Sequence, residues 1–411
     1  MKKTSILFFA IILPMLMIAQ DQPSFGIKFT GFVKTDIFFD SRQNVAIREG
    51  HFYLYPLNES LDPNGFDINS KSNFNILSVQ TRLNGTITGP DAFGAKTSAY
   101  IEGEFFGHSD ADINGFRLRH AHAKLTWTNT ELMVGQYWHA MFITDCFPGT
   151  VSFNTGAPFQ PFSRNPQIRF TQKFGGLKMS VTAMSQRDFA STGPDGGGSM
   201  YLRNNVIPEM NLTLQYSSKS SNGDSFLIGF GADYLSLVPR LKTNLGYATD
   251  QAVSGISTMA FLKYASKDVT LKFEGVMGKN TTHLTMLGGY VTSNETNATY
   301  NYVEYLPIKT LSLWTDIHSN GKKVAAGLFA GYTKNQGAGE DIIGPYYSRG
   351  SNIDNIYRIA PRIDINSGKM RFSGEVEYTT AAYGTTQSDG TVDDTHNVSN
   401  LRLLMAVYYF F

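Results

Sequence analysis

Along the stretch KMRFSGEVEY, Met370, Phe372, Val376 and Tyr378 alternate with Arg371, Ser373, Glu375 and Glu377, so an extended chain has one apolar flank and one polar flank. The same two-residue period sets Ile168, Phe170 and Phe174 against Gln167, Arg169, Thr171 and Lys173. It sets Met210, Leu212, Leu214 and Tyr216 against Asn211, Thr213 and Gln215, and Leu77, Val79, Leu83 and Ile87 against Gln80, Arg82, Asn84 and Thr86. A strand patterned in this way lies between two unlike solvents. Sixteen such segments start near residues 27, 74, 95, 116, 131, 166, 177, 208, 225, 254, 268, 305, 323, 354, 369 and 399.

The spacers alternate in length. Long ones cover residues 41–72, 107–114, 143–164, 188–206, 236–253, 279–304, 335–353 and 380–397, and between them fall short turns such as TNT, FGG, ASKD and NSGK. Tight turns at one end and long loops at the other are the signature of a transmembrane antiparallel up-and-down β-barrel, with short periplasmic turns and long extracellular loops. An even strand number puts both termini on the periplasmic side. The chain after the first 20 residues has no apolar run long enough for a membrane helix, and its wealth of Tyr, Phe, Gly, Asn and Thr is strand and turn composition.

The start, MKKTSILFFAIILPMLMIAQ, reads as a cleaved secretory signal peptide over residues 1–19, leaving residues 20–411 as one barrel domain. Without Lys2 and Lys3 the 35 basic residues fall to 33 against 34 acidic ones, a balance that argues against nucleic acid as a partner. Cys146 is the single cysteine, so no internal disulfide is available.

The chain ends LLMAVYYFF. Leu401, Leu403, Met405, Val407, Tyr409 and Phe411 fall on one flank and Asn400, Arg402 and Ala406 on the other, so lipid covers the tail and the last strand pairs with the first. Tyr408 and Phe410 break the alternation and are expected in an aromatic girdle. A terminal aromatic in this phase resembles the recognition signal of the barrel assembly machinery.

Charges within strands belong on the lumen side, because a lysine or arginine facing mid-bilayer lipid costs about 2–4 kcal/mol. The expected pore-lining residues are Lys34, Arg82, Lys96, Arg117, Arg119, Arg169, Lys173, Lys178, Arg362, Arg371 and Arg402, with Glu102, Glu104, Glu375 and Glu377 as acidic counterparts. Arg402 beside Lys34, with Arg82 next along, is expected to form a basic ladder that enriches anions. The third long loop is rich in phenylalanine, which suits a segment folded into the lumen. Asp145, Phe147 and Arg164 are its constriction residues.

The stretch RLRHAHAK holds a conflict. Arg117 and Arg119 fall on one flank, and His120, His122 and Lys124 on the other. Either a bulge switches the phase near Arg119 to Ala121, or this strand faces a protein interface. His120 and His122 share a face but lack a third ligand, so no metal and no cofactor are expected. GPDGGGS lacks the GK[ST] of a phosphate loop, and no serine, histidine and acid set suggests an enzyme.

Several stretches resemble the DcaP-like porins, outer-membrane channels of Gram-negative bacteria associated with dicarboxylates and similar small anions: GFVKTD (31–36), FRLRHA (116–121) followed by GQYW (135–138), PQIRF (166–170) and APRI (360–363). The resemblance implies a homotrimer of sixteen-stranded barrels with a narrow, basic-lined pore, and a subunit contact on the strand of His120 and His122. The acidic lumen residues depart from a purely basic lining. The expected role is passive diffusion of small polar solutes, possible anion preference included, in an integral outer-membrane protein surrounded by lipid and lipopolysaccharide. The alternative is a barrel whose long loops act as an adhesin or carry a hydrolase site, with His139 or Asp145 as candidates.

Overall fold

The computed structural model describes residues 25–411; the expected signal peptide lies outside them. Sixteen antiparallel strands close into a barrel. They are Gly26–Asp40, Asn73–Leu77 continued by Arg82–Thr88, Lys96–Glu104, Arg117–Thr126, Thr130–Trp138, Arg164–Phe174, Leu177–Met184, Glu209–Lys219, Ser225–Leu237, Val253–Ala265, Val269–Lys279, Tyr302–Ser319, Val324–Asn335, Ile353–Ser367, Met370–Thr386 and Val392–Phe410. Each pairs with its sequence neighbour, and the first pairs with the last from Phe32 opposite Phe410 to Asp40 opposite Arg402. Closure satisfies the backbone groups that hydrocarbon cannot solvate.

The chain end takes part in that seam. The Gly31 N–H donates to the Phe411 carbonyl at 3.3 Å, and the Phe411 N–H returns the bond at 3.1 Å. A Cβ at Gly31 would lie 2.7 Å from the Phe411 ring, so the close approach requires glycine there. Short turns follow local chemistry: Phe174 and Leu177 pair across Gly175–Gly176, and Gly175 has the positive φ (+59°) that such a two-residue hairpin needs.

Alternation places the flanks as the two-solvent argument requires. Ile27, Phe29, Val33 and Phe39 of the first strand are exposed on the outside, while Lys34, Asp36, Phe38 and Asp40 are buried inside. Two phase slips interrupt it. Asp36 faces Leu77 but Phe32 faces Arg82, so four steps along the first strand match five along the second. This extra residue turns Leu77 and Val79 inward, contrary to their expected place beside Leu83 and Ile87. In the fourth strand Glu102 faces His120 and Gly103 faces Leu118, leaving Arg119 as the extra residue of a bulge. The bulge brings Arg117, Arg119, His120 and His122 all to the inner, buried side while Leu118 stays exposed.

Two further expectations are corrected. Tyr408 and Phe410 keep the alternation and point inward, Tyr408 beneath Lys34 at 4.9 Å and Phe410 beneath Arg371 at 5.3 Å. The expected loop 380–397 is mostly strand, because Met370–Thr386 and Val392–Phe410 continue past the lipid and leave only residues 387–391 as a turn. Residues 393–397 are polar and exposed. Outside the bilayer both flanks meet water, so the hydrogen-bond ladder continues after its sequence signature has faded.

Candidate functional site: the lumen and its inward loops

The third long loop enters the barrel and crosses to the far wall. The Gly149 N–H donates to Asp316 at 3.2 Å, the Val151 and Ser152 N–H groups to the two oxygens of Glu375 at 2.8 and 2.9 Å, and the Asn154 amide to Glu377 at 2.8 Å. Loop carbonyls are taken by cationic wall residues: Val151 by Lys34 at 2.9 Å, Phe147 by Lys272 at 2.9 Å and Ala157 by Arg358 at 3.0 Å. Hydrogen bonds to charged partners contribute about 1.5–3 kcal/mol each. Glu375 and Glu377, expected as lumen acids, therefore hold this loop in place.

Phe142, Phe153, Phe159 and Phe162 of the loop are buried in the apolar cluster that fills the upper lumen. A second loop joins them there. Within 41–72, Asn44–Ile47 pairs with Phe52–Pro56, and Phe52, Leu54 and Tyr55 enter the same cluster. Arg358, fully buried, donates to Leu54 O at 2.7 Å and so ties both loops to one wall residue. Sequence reasoning missed this hairpin and Arg358. The apolar run HFYLYP marked the first, and Arg358 shares the two-residue phase of Arg362.

Beside the loop's root the two phase slips converge on Glu104. This fully buried carboxylate meets Arg117 at 2.7 Å, Arg119 at 2.8 Å, Arg82 at 3.0 Å and Arg164 at 3.8 Å. Glu102 takes a second contact from Arg119, and Asp188 bridges Arg164 at 2.6 Å and Arg117 at 3.1 Å. Four guanidinium groups thus share three carboxylates. Aromatic rings cover the guanidinium faces: Arg117 lies 4.7 Å from the Phe106 ring centre and Arg164 5.2 Å from that of Trp138.

The expected basic ladder is mostly neutralised. Arg402 faces Asp40, not Lys34, and forms a bidentate pair with it at 2.7 and 2.9 Å. Lys34 faces Tyr408 and contacts Asp36 at 2.9 Å. Arg362 pairs with Asp316 at 2.7 and 3.0 Å. Lys96 and Lys173 are exposed at the periplasmic end, where Lys96 pairs with Asp91 of the adjoining turn. Asp145 and Arg164, expected at one constriction, take separate partners: exposed Asp145 bonds to Lys178 at 3.0 Å, whereas Arg164 is buried against Asp188.

Among the described residues, Arg169 and Arg371 have no carboxylate partner. Arg169 donates to the Trp138 carbonyl at 3.0 Å and Arg371 to the Asn366 side chain at 2.8 Å. Arg371, with Arg82, Arg119 and Lys124, faces a cavity of about 660 Å³ beneath the third loop, where Glu102 is the one facing carboxylate. Phe147 of the loop closes its upper side. His120 and His122 also line this cavity, packed among the tilted rings of Tyr100, Tyr137 and Trp138, with His120 Nε2 3.8 Å from the Glu102 carboxylate.

Cys146 belongs to the same loop and is fully buried, its thiol donating to Leu262 O at 3.4 Å. Burial pushes its pKa up to about 12, so the reactive thiolate is scarce at neutral pH. Maleimide labelling of the folded protein will be slow and will become fast on unfolding in denaturant; fast labelling of the folded barrel would place the loop elsewhere.

The sequence matches no family model and no curated protein. Solved structures match along nearly the whole chain. The outer-membrane channel DcaP of Acinetobacter baumannii superposes with a TM-score of 0.64 at 14% identity, covering 94% of this chain and 97% of that one. An anion-selective porin from Comamonas acidovorans gives 0.54 at 12% identity, covering 94% and 100%. The trimer form of OmpT of Vibrio cholerae, an outer membrane protein, gives 0.51 at 10% identity, covering 94% and 100%. The shared property is the fold, a closed antiparallel β-barrel.

Proposed function

We propose that this integral outer-membrane barrel is a porin for passive diffusion of small polar solutes, with a mild preference for anions such as small dicarboxylates. The observation that carries the reading is the cavity beneath the third loop, a water-accessible space with Arg82, Arg119, Lys124 and Arg371 against Glu102. The excess of positive charge is small, because most lumen cations are already paired, so the field it creates biases solutes without excluding cations. The loop crossing the lumen sets the size limit. The similar structures include one described as anion-selective and one as a trimer, and we extend both properties to this chain as a homotrimer with weak anion selectivity.

No catalytic role is assigned. His139 and Asp145, which a loop-borne hydrolase would have used, have different partners, Glu209 and Lys178. Selectivity tests the reading. In a salt gradient the reversal potential of the wild-type protein will favour anions, and Arg169→Gln with Arg371→Gln will shift it towards cations. An unchanged potential in the double variant would assign the selectivity to other groups.

A further inference from the structure

Three buried side chains from distant parts of the chain meet at the extracellular end of the wall. His139 stands at the root of the third long loop, Glu209 opens the strand Glu209–Lys219, and His283 sits in the short turn Thr282–Leu284 of the sixth long loop. Their donor atoms all lie within 4.8 Å of one another. Both Nε2 atoms converge on one carboxylate oxygen, Glu209 Oε1, from 2.9 Å (His139) and 2.7 Å (His283). None of the three is more than 2% exposed.

Two features go beyond what a structural hydrogen-bond cluster needs. Glu209 Oε2 and His283 Nδ1 are buried with no hydrogen-bond partner among the described residues. A second buried acid, Asp233, lies on the adjoining strand, opposite Asn211, whose amide donates to it at 3.0 Å. Two imidazoles and a carboxylate converging in one buried site, with a second carboxyl group on the next strand, are a donor set that suits a divalent cation. The nitrogen and oxygen donors suit zinc, and two histidines with one glutamate leave a fourth position for water or a shifted Asp233.

We propose that His139, Glu209 and His283 bind a single Zn(II)-class divalent ion, which clamps the third and sixth long loops to the barrel wall. The loops already touch beside the site, where the Phe162 N–H donates to Leu284 O at 2.9 Å. Metal uptake requires a proton shift. The Met141 N–H donates to His139 Nδ1 at 3.1 Å, so His139 Nε2 carries the proton that Glu209 accepts. The ion takes the place of the Nε2 proton on both histidines, since His283 Nε2 also donates to Glu209; each Nδ1 gains one proton through solvent, the His283 Nδ1 being without a partner among the described residues and the His139 Nδ1 giving up its contact with Met141. Separations of 70 and 74 residues hid this set from sequence spacing.

The test is Zn(II) titration of chelator-stripped, folded protein in detergent, in competition with a chromophoric chelator, with bound metal counted by elemental analysis. The wild-type protein will hold one equivalent per chain. His283→Asn, which removes the imidazole ligand, and Glu209→Gln will lose it, whereas His120→Asn with His122→Asn will keep it. Absence of stoichiometric Zn(II) from the wild type overturns the proposal without reference to any variant. Binding that survives in folded His283→Asn, or is lost in the His120 and His122 double variant, also overturns it.

Discussion

Replacing Glu104 with glutamine will destabilise the folded barrel by about 3–5 kcal/mol, the scale for removing one partner from a buried ionic cluster. Glu104 is fully buried, and Arg82, Arg117 and Arg119 lie within 3.0 Å of it. Without its charge, four arginines share only Glu102 and Asp188. The amide fits the space but offers one acceptor oxygen where two were used, and its NH₂ group faces guanidinium donors. Equilibrium unfolding in urea with detergent micelles, followed by tryptophan fluorescence, measures the loss. Lys96→Gln is the contrasting case: its salt bridge to Asp91 is exposed, so its loss will have little effect. A Glu104→Gln protein as stable as the wild type would mean that water reaches the cluster and that the arginines are not held by it.

Removing the inner part of the third loop, residues 147–160, and joining its ends with a short glycine and serine linker will raise single-channel conductance several-fold. The loop crosses the lumen from its root near Trp138 to Glu375 and Glu377 on the opposite wall, and its phenylalanines fill the space between. The barrel will still close, because its strands are held by their own hydrogen-bond ladder, although it will unfold more easily for want of the buried aromatic cluster. Double substitution of Glu375 and Glu377 by alanine will act in the same direction, by leaving the loop's N–H groups without acceptors. It will produce noisier channels as the loop moves. Unchanged conductance in the deletion would show that another segment, such as the hairpin around Phe52, sets the narrowest point.

How much of this was legible in the sequence follows from what each feature depends on. Strands spanning lipid have a different solvent on each flank, so alternation reports them. The expected starts of the sixteen segments lie within three residues of the observed strands, except for the last, which begins at Val392 and not near 399. That strand begins in water, where no alternation is demanded. The bulge at Arg119 was visible as a phase conflict, since Arg117 and His120 cannot both face inward without one. The slip before Arg82 was not, because Leu77 and Val79 are apolar and fit either flank.

The lumen was less legible, for a physical reason. Parity reports which charges point inward but not what they meet. Whether Arg402 reinforces Lys34 or is cancelled by Asp40 depends on strand register, and one step changes the answer. The contacts that seat the loop join residues 117 or more positions apart, such as Lys34 with Val151 and Asn154 with Glu377. The phenylalanines of the third loop announced that it would be buried. The run HFYLYP carries the same signal for the first loop, diluted by the polar residues on either side of it.

The central claim is that the barrel encloses an aqueous path narrowed by the third loop, and planar-bilayer recording tests it most directly. Insertion of purified, folded protein will give stepwise ion currents, with the deletion of residues 147–160 giving larger steps. Folded barrels that insert and pass no current, in the wild type and in the deletion alike, would contradict it.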